Sequence, residues 1–248
     1  IQYIREKQIE MVDLKFCDLW GRWHHVTLPS SQFNNETMEE GIGFDGSAVG
    51  LRNVKSGDMI LVPDLSTGTQ DPFWEVPCLS FLCNTVETNT QAIFANDPRN
   101  MAMKAESYLR ETGIADESCW GPEFEFYIFD RVSFENGVNY ASYRLDSSEA
   151  VNNSTEMENS HPIPLHGGYH AIAPLDRLYN LRTTISMHLE SMGVPIKYHH
   201  HEVGSAGQCE IETPMMNIMD AGDASMLVMY TTRLVASSMG KSATFMPK

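Results

Sequence analysis

Basic residues are scarce in this sequence. Lysine and arginine number 17 against 33 aspartates and glutamates in 248 residues, a formal charge of −16. So acidic a chain lacks the positive surface with which proteins hold nucleic-acid phosphates. Long apolar runs are also missing: none approaches the roughly 20 residues that span a bilayer, and the amino terminus lacks the basic-then-apolar order of a secretory signal. A soluble, cytoplasmic protein that binds neither nucleic acid nor membrane is expected. Cysteines are few. Cys17, Cys78, Cys83, Cys119 and Cys209 are odd in number, scattered and without a C-x-x-C pair, which excludes a disulfide framework and leaves them as reduced packing residues. Internal repeats and low-complexity segments are absent. So is an initiating methionine before Ile1, and Lys248 follows directly on an apolar run, so a fragment of a longer polypeptide is expected.

Apolar residues are plentiful. At 42% hydrophobic and 20% charged, the chain can bury a sizeable core as one large domain or two modest ones. The first hundred residues alternate short apolar runs with turn residues. Leu14 and Phe16 before, and Val26 and Leu28 after, the Trp20-Gly21-Arg22 turn predict a hairpin. Further strands are expected at Met59–Val62 and Cys78–Cys83, and the glycine-rich stretch Glu40–Asp58 reads as a functional loop. A helix is predicted next, capped by Asp97, with Pro98 in its first position, closed by Gly113, and burying Ala102, Ala105 and Leu109. The domain boundary is placed there, dividing 1–96 from 97–248.

Beyond it, strands are expected at Cys119–Asp130 and Tyr140–Leu145, and a mobile loop at Val151–Pro164. A second helix from Asp176 to Met192 carries Leu178, Leu181, Ile185, Leu189 and Met192 at steps of 3, 4, 4 and 3, and stops at Gly193. Strands Ile196–Val203 and Gln208–Thr213 flank a Gly204–Gly207 turn, and a last helix spans Met219–Met239.

Chemistry concentrates in three places. In the strand that begins Gly121-Pro122-Glu123-Phe124-Glu125-Phe126, the side-chain period of two sets Glu123 and Glu125 on one face. In Tyr198–Val203 and Gly207–Glu212 the same period groups His200 with Glu202, and Gln208 with Glu210 and Glu212. If those strands are neighbours, four carboxylates gather on one sheet face, where they repel unless cations neutralise them. Oxygen-rich ligands suit Mg²⁺ or Mn²⁺. Zinc would need the three histidines together, but His199, His200 and His201 are consecutive and point to alternate faces. The third place, Gly41–Gly50, holds Asp45 among glycines and lacks the G-K-[ST] ending of a phosphate loop.

In order along the chain, Gly41–Ser47, Met59–Asp64 with Asp71-Pro72-Phe73, Gly121–Phe126, Gly167-Gly168-Tyr169, His199–Glu210 and Gly240–Pro247 resemble glutamine synthetase of the prokaryotic type I form. The resemblance covers the whole chain. It implies an α+β protein: an N-terminal β-grasp domain, then the first part of a catalytic domain built as an antiparallel sheet backed by helices and incomplete at its C-terminus. It implies ATP-dependent ligation of ammonia to glutamate through a γ-glutamyl phosphate, with Mg²⁺ or Mn²⁺. By the same resemblance, Glu125, Glu202 and Glu210 ligate one cation, Glu123 ligates a second, and Asp45 and Tyr169 form the ammonium pocket. Lys197 stands near the nucleotide where the family commonly places a glutamate, and Ala48 replaces a second serine after Asp45-Gly46-Ser47. The family assembles as a dodecamer of two six-membered rings with active sites shared between subunits, so a homo-oligomer is expected, with Asp45 serving a neighbour's site. Family residues that lie past Lys248 include the phosphate-binding arginines, so the chain alone is expected to bind a cation without turning over. Rival expectations are a ligase joining glutamate to an organic amine, which Ala48 favours and Asp45 disfavours, and a non-catalytic relative, which the retained glutamates disfavour.

Overall fold

The structure is a computed structural model that describes residues 1–151 and 161–246. Most of the expected loop at Val151–Pro164 therefore lies outside the described residues, as do the last two residues of the chain. Two compact units are present: residues 1–119 with 217–223, and residues 120–216 with 224–248.

After a short helix α1 (Gln2–Glu6), the first unit forms strands β1 (Met11–Cys17) and β2 (Trp23–Pro29), helix α2 (Asn35–Glu40), and strands β3 (Ile42–Asp45), β4 (Asp58–Pro63), β5 (Thr69–Asp71) and β6 (Cys78–Glu87). They make one sheet in the order β2-β1-β6-β4-β3, with β5 also on β6. β1 and β6 run parallel, and every other pair is antiparallel. The predicted hairpin is β1–β2. Its turn is held by Asp18, whose Oδ1 accepts from the backbone N–H of Trp20 at 2.8 Å and of Arg22 at 2.9 Å, while Gly21 supplies a φ of 74°. Val12, Leu14 and Phe16 face the core with Met59, Leu61 and Phe81.

The other face of β1 is buried as well and holds Asp13 and Lys15. Lys15 Nζ lies 2.9 Å from both Asp13 Oδ2 and Asp71 Oδ2, so these buried charges satisfy one another. Burial pushes the Asp13 carboxyl up, but Lys15 and hydrogen bonds from Thr27 and His25 outweigh it and hold the group below 3.8. Burial likewise raises Asp18 less than His24 and the turn N–H groups lower it. A carboxyl depressed in the folded state stabilises the fold above its unfolded value and loses that contribution as pH falls through the folded one. This unit is therefore expected to lose stability as pH drops below about 4. Denaturant midpoints that stay constant from pH 5 down to pH 2.5 would contradict it.

Two expectations change here. The stretch Glu40–Asp58 is not all loop, because β3 pairs with β4 through Ile42↔Leu61 and Phe44↔Met59. Ile42 and Phe44 alternate onto the core, and the glycines between and around them hide that alternation in the sequence. Helix α3 (Pro98–Glu111) starts as expected, with Asp97 accepting from Asn100 N at 3.0 Å and Gly113 at φ 68° beyond its end. Its predicted apolar face does not form: Ala105 is exposed, Ala102 and Leu109 are half-buried, and the buried residues are Asn100 and Glu106. Polar anchors replace apolar packing. Asn100 Nδ2 donates to Phe94 O at 2.9 Å, and Glu106 accepts from Ser118 Oγ at 2.8 Å.

The second unit contains β7 (Glu123–Phe129), β8 (Arg131–Asn136), β9 (Ala141–Asp146), helix α4 (Tyr179–Ser191), β10 (Tyr198–His201), β11 (Gln208–Glu212), helix α5 (Ile218–Ser238), whose first residues group with the first unit, and β12 (Ser242–Thr244). β10-β11-β7-β12 form an antiparallel sheet, and β8–β9 a separate hairpin. β8 was not expected from sequence, since all six of its residues are exposed and no alternation marks it. All five apolar residues predicted for α4 are buried, and the helix packs on β10 and β11. It begins at Tyr179 and not at Asp176, because the Asp176 carboxylate is engaged by the buried Arg182 guanidinium, at 3.1 Å from Nη1, and by Leu178 N at 3.0 Å. β10 is shorter than the predicted strand, and α5 lies one residue before its predicted bounds at each end. No helix among the described residues is long and apolar enough to cross a membrane.

Candidate functional site

The antiparallel sheet of the second unit brings the acidic residues together. β10 pairs with β11 and β11 with β7, so His200, Glu210 and Glu125 lie in one row across three strands, and Tyr198, Glu212 and Glu123 in the next. Residues directly opposite on neighbouring strands share a face, so the period-two grouping of each strand becomes a single cluster. The turn from β10 to β11 is made by Gly204-Ser205-Ala206-Gly207. Gly207 sits at φ 88°, and a Cβ there would lie 2.4 Å from the carbonyl oxygen of Ile128, so a glycine is required at that position.

Two sets of ligand atoms lie close enough to hold a cation. The donor atoms of His200, Glu202 and Glu210 fall within 4.8 Å of one another, and so do those of Glu123, Glu210 and Glu212. Glu210 belongs to both. Glu125, directly opposite Glu210, accepts a hydrogen bond of 2.7 Å from Gln208 Nε2. Glu123 and Glu125 also line an open pocket of about 240 Å³ with Gln208 and Tyr127. Burial, and next the neighbouring Glu202, push the Glu210 carboxyl up to about 7, and Glu125 and Glu123 add to the effect. Carboxylates crowded in this way are the electrostatic condition a divalent cation relieves, and oxygen donors in this number fit Mg²⁺ or Mn²⁺.

The three consecutive histidines do not converge, in keeping with alternation along a strand. The His199 ring meets Arg182 Nε at 3.3 Å and Thr183 Oγ1 at 3.3 Å, while His201 Nε2 meets Glu149 Oε2 at 3.0 Å. Only His200 of the three turns toward Glu202 and Glu210, at 3.8 and 3.7 Å. His200 and Glu212 carry no assigned role in the sequence reading, although the strand period places both on the acidic face.

Lys197 precedes β10, is half exposed, and its Nζ lies 3.0 Å from Glu212 Oε2. Burial raises the Glu212 carboxyl, but Tyr198 and Lys197 outweigh it and hold the group below its usual range. Tyr169 is 62% exposed and meets the His200 ring edge-on at 5.5 Å. Asp45 belongs to the first unit and Tyr169 to the second. Asp45 ends β3 as an exposed acid whose Oδ1 accepts from Ser47 Oγ at 2.7 Å and Ser47 N at 2.9 Å. Those bonds lower its pKa and keep it ionised.

Comparison with known proteins follows the same division. The β-grasp domain of glutamine synthetase matches residues 8–88, and the glutamine synthetase catalytic domain matches residues 95–248. Glutamine synthetase of Methylococcus capsulatus is 41% identical over 253 residues, covering 100% of this chain and 54% of the relative. The 3-hydroxylaminophenol mutase of Cupriavidus pinatubonensis is 37% identical over 253 residues, with 100% and 54% covered. The chain spans about half the length of these curated relatives. A cryo-EM structure of Plasmodium falciparum glutamine synthetase shares the fold at a TM-score of 0.89 and 24% identity, over 100% of this chain and 49% of that one.

Proposed function

The chain belongs to the glutamine synthetase family, and from that premise we propose that it forms part of a glutamate–ammonia ligase. The reaction joins ammonia to glutamate with ATP, through a γ-glutamyl phosphate. The observation that carries the reading is the acidic row of β7, β10 and β11 centred on Glu210. Glu125, Glu202 and Glu210 hold one divalent cation, Mg²⁺ or Mn²⁺, and Glu123 contributes to a second. Such cations, when bound, neutralise nucleotide phosphate charge during transfer. Gln208 fixes the Glu125 carboxylate by its 2.7 Å bond, and Lys197 lies toward the nucleotide.

Asp45 and Tyr169 take the ammonium. An exposed carboxylate kept ionised by Ser47 attracts NH₄⁺ and can accept its proton as the nitrogen becomes a nucleophile. Residues 1–96 then constitute the β-grasp domain and 97–248 part of the catalytic domain. The protein works in the cytoplasm as a homo-oligomer, a dodecamer by family, in which Asp45 serves a neighbouring subunit.

Ala48 supports a second reading, a ligase for an organic amine, because it removes a hydroxyl beside Asp45. Amine-dependent ADP release by the full-length polypeptide, with glutamate and ammonia, ethanolamine or putrescine in turn, separates the two. Ammonia is expected to be the effective nucleophile. Release with a bulky amine and none with ammonia would transfer the assignment to the second reading, and no release with any amine would remove both.

A further inference from the structure

The acid proposed to take the ammonium stands over a glycine. We infer that Gly57 is a positioning residue: its missing side chain leaves the room in which the Asp45 carboxylate and its Ser47 partner are held. The inference rests on Asp45 as the ammonium acid and adds the residue that sets where its charge lies.

Gly57 closes the loop between β3 and β4, one residue before β4 begins. A glycine in such a place usually makes a turn that other residues cannot. The backbone here has no such need. Gly57 has φ −75° and ψ −26°, in the right-handed region open to every L residue. On backbone grounds alone Gly57→Ala would be favoured, since it narrows the unfolded ensemble.

What excludes a side chain is the neighbouring acid. A Cβ on Gly57 would lie 2.4 Å from Asp45 Oδ1, and 3.2 Å from both Cβ and Oγ of Ser47. Gly57 is buried although Ser56 and Asp58 on either side of it are exposed, and Asp45 and Ser47 are the residues that lie over it.

Hydrogen bonds fix the pair above that space. Gly46 N donates to Gly57 O at 2.8 Å, which ties the residue between Asp45 and Ser47 to Gly57 itself. Ser47 Oγ and Ser47 N both donate to Asp45 Oδ1, the oxygen that an added Cβ would meet. A carboxylate displaced from Ser47 finds no substitute directly across the strand pair, where the register places another acid, Asp58.

Gly57→Ala therefore has a local consequence. The Asp45 carboxylate is the free end of an exposed side chain, so it can swing aside without unfolding the domain, but it then leaves both Ser47 donors. A reacting group moved by about 1 Å performs measurably worse. The rival account is that Gly57 serves only the turn into β4.

Steady-state ADP release by the full-length polypeptide, with ammonia, glutamate and ATP varied in turn, separates these. Gly57→Ala is expected to raise KM for ammonia about tenfold and to leave those for glutamate and ATP within about twofold, because only the nucleophile's site is disturbed. Gly43→Ala adds the same methyl to the strand of Asp45 at a point where nothing lies within 4 Å, and should match wild type. In an Asp45→Ala background, Gly57→Ala should change nothing further, since it acts through the carboxylate. Ammonia kinetics of Gly57→Ala equal to those of Gly43→Ala, a rise in all three KM values, a full effect that survives in Asp45→Ala, or a Gly57→Ala protein that fails to fold would each overturn the positioning role and leave Asp45 as the ammonium acid. A wild type that releases no ADP with ammonia would overturn both.

Discussion

Replacing Glu210 with glutamine, which removes its negative charge and leaves a neutral oxygen, is expected to weaken Mn²⁺ binding by about 10–100-fold. Glu210 is the one residue common to both ligand sets. The same substitution is expected to act in the opposite direction on the metal-free protein. Burial and the neighbouring Glu202 push the Glu210 carboxyl up to about 7 from an ordinary 4.5. Below that ordinary value the group is protonated in folded and unfolded chains alike. As pH rises from about 4.5 to about 7, the unfolded chain gives up its proton more readily than the folded one, so the metal-free fold loses stability over that interval and stays lowered above it. Glutamine removes this titration and should raise metal-free stability by roughly 1–3 kcal/mol at pH 8. Isothermal titration with Mn²⁺ and denaturant unfolding in chelator read the two effects. Equal binding heats from both proteins would remove the cation assignment, and an unchanged pH dependence of stability would remove the account of repulsion.

The second large effect is predicted at Glu149, whose side chain is fully buried and which belongs to neither of the two ligand sets. Its Oε1 accepts from Arg177 N at 2.7 Å, and its Oε2 accepts from Gly207 N at 2.8 Å and from His201 Nε2 at 3.0 Å. It thus braces both sides of the β10–β11 turn, with Glu202 next to His201 on one side and Glu210 beyond Gly207 on the other. Burial pulls the His201 imidazole down, and Glu149 more than reverses this. Glu149→Ala would strand the two buried donors of His201 and Gly207, at about 1–3 kcal/mol for each left unpaired, with partial relaxation, and would free the backbone N–H of the exposed Arg177. A net loss of roughly 3–5 kcal/mol is expected, together with a 10–100-fold loss in Mn²⁺ affinity from misplaced ligands. Glu149→Gln should recover part of the stability, because its oxygen can keep two of the three bonds while its amide faces the third donor. Denaturant unfolding of the three proteins decides the matter. A Glu149→Ala chain within about 0.5 kcal/mol of wild type would show that the turn holds itself.

Much of this architecture is legible in the residues alone. The α4 face at Leu178, Leu181, Ile185, Leu189 and Met192 is readable because a helix that packs against a sheet must repeat its apolar positions at the helical period, and all five are buried. The Trp20-Gly21-Arg22 hairpin is readable because a turn needs particular backbone freedom at a particular place. β3 escaped notice because glycines interrupt its alternation, and β8 because an exposed strand has no apolar face to display. Helix α3 misled for a related reason. Its spacing of small residues suggests a core face, whereas the helix is held by the polar groups of Asn100 and Glu106, which carry no periodic signature.

By itself the sequence determined which side chains share a strand face, since the period of two is local geometry: Glu123 with Glu125, His200 with Glu202, and Glu210 with Glu212. It also determined the family, through motifs whose order spans the whole chain. Only the tertiary structure decided that Glu210 stands between His200 and Glu125, that Lys197 closes onto Glu212, and that Glu149 reaches the turn from more than fifty residues away. Strand register and buried hydrogen bonds depend on segments distant along the chain, and a shift of one residue would send each acidic side chain to the opposite face of the sheet.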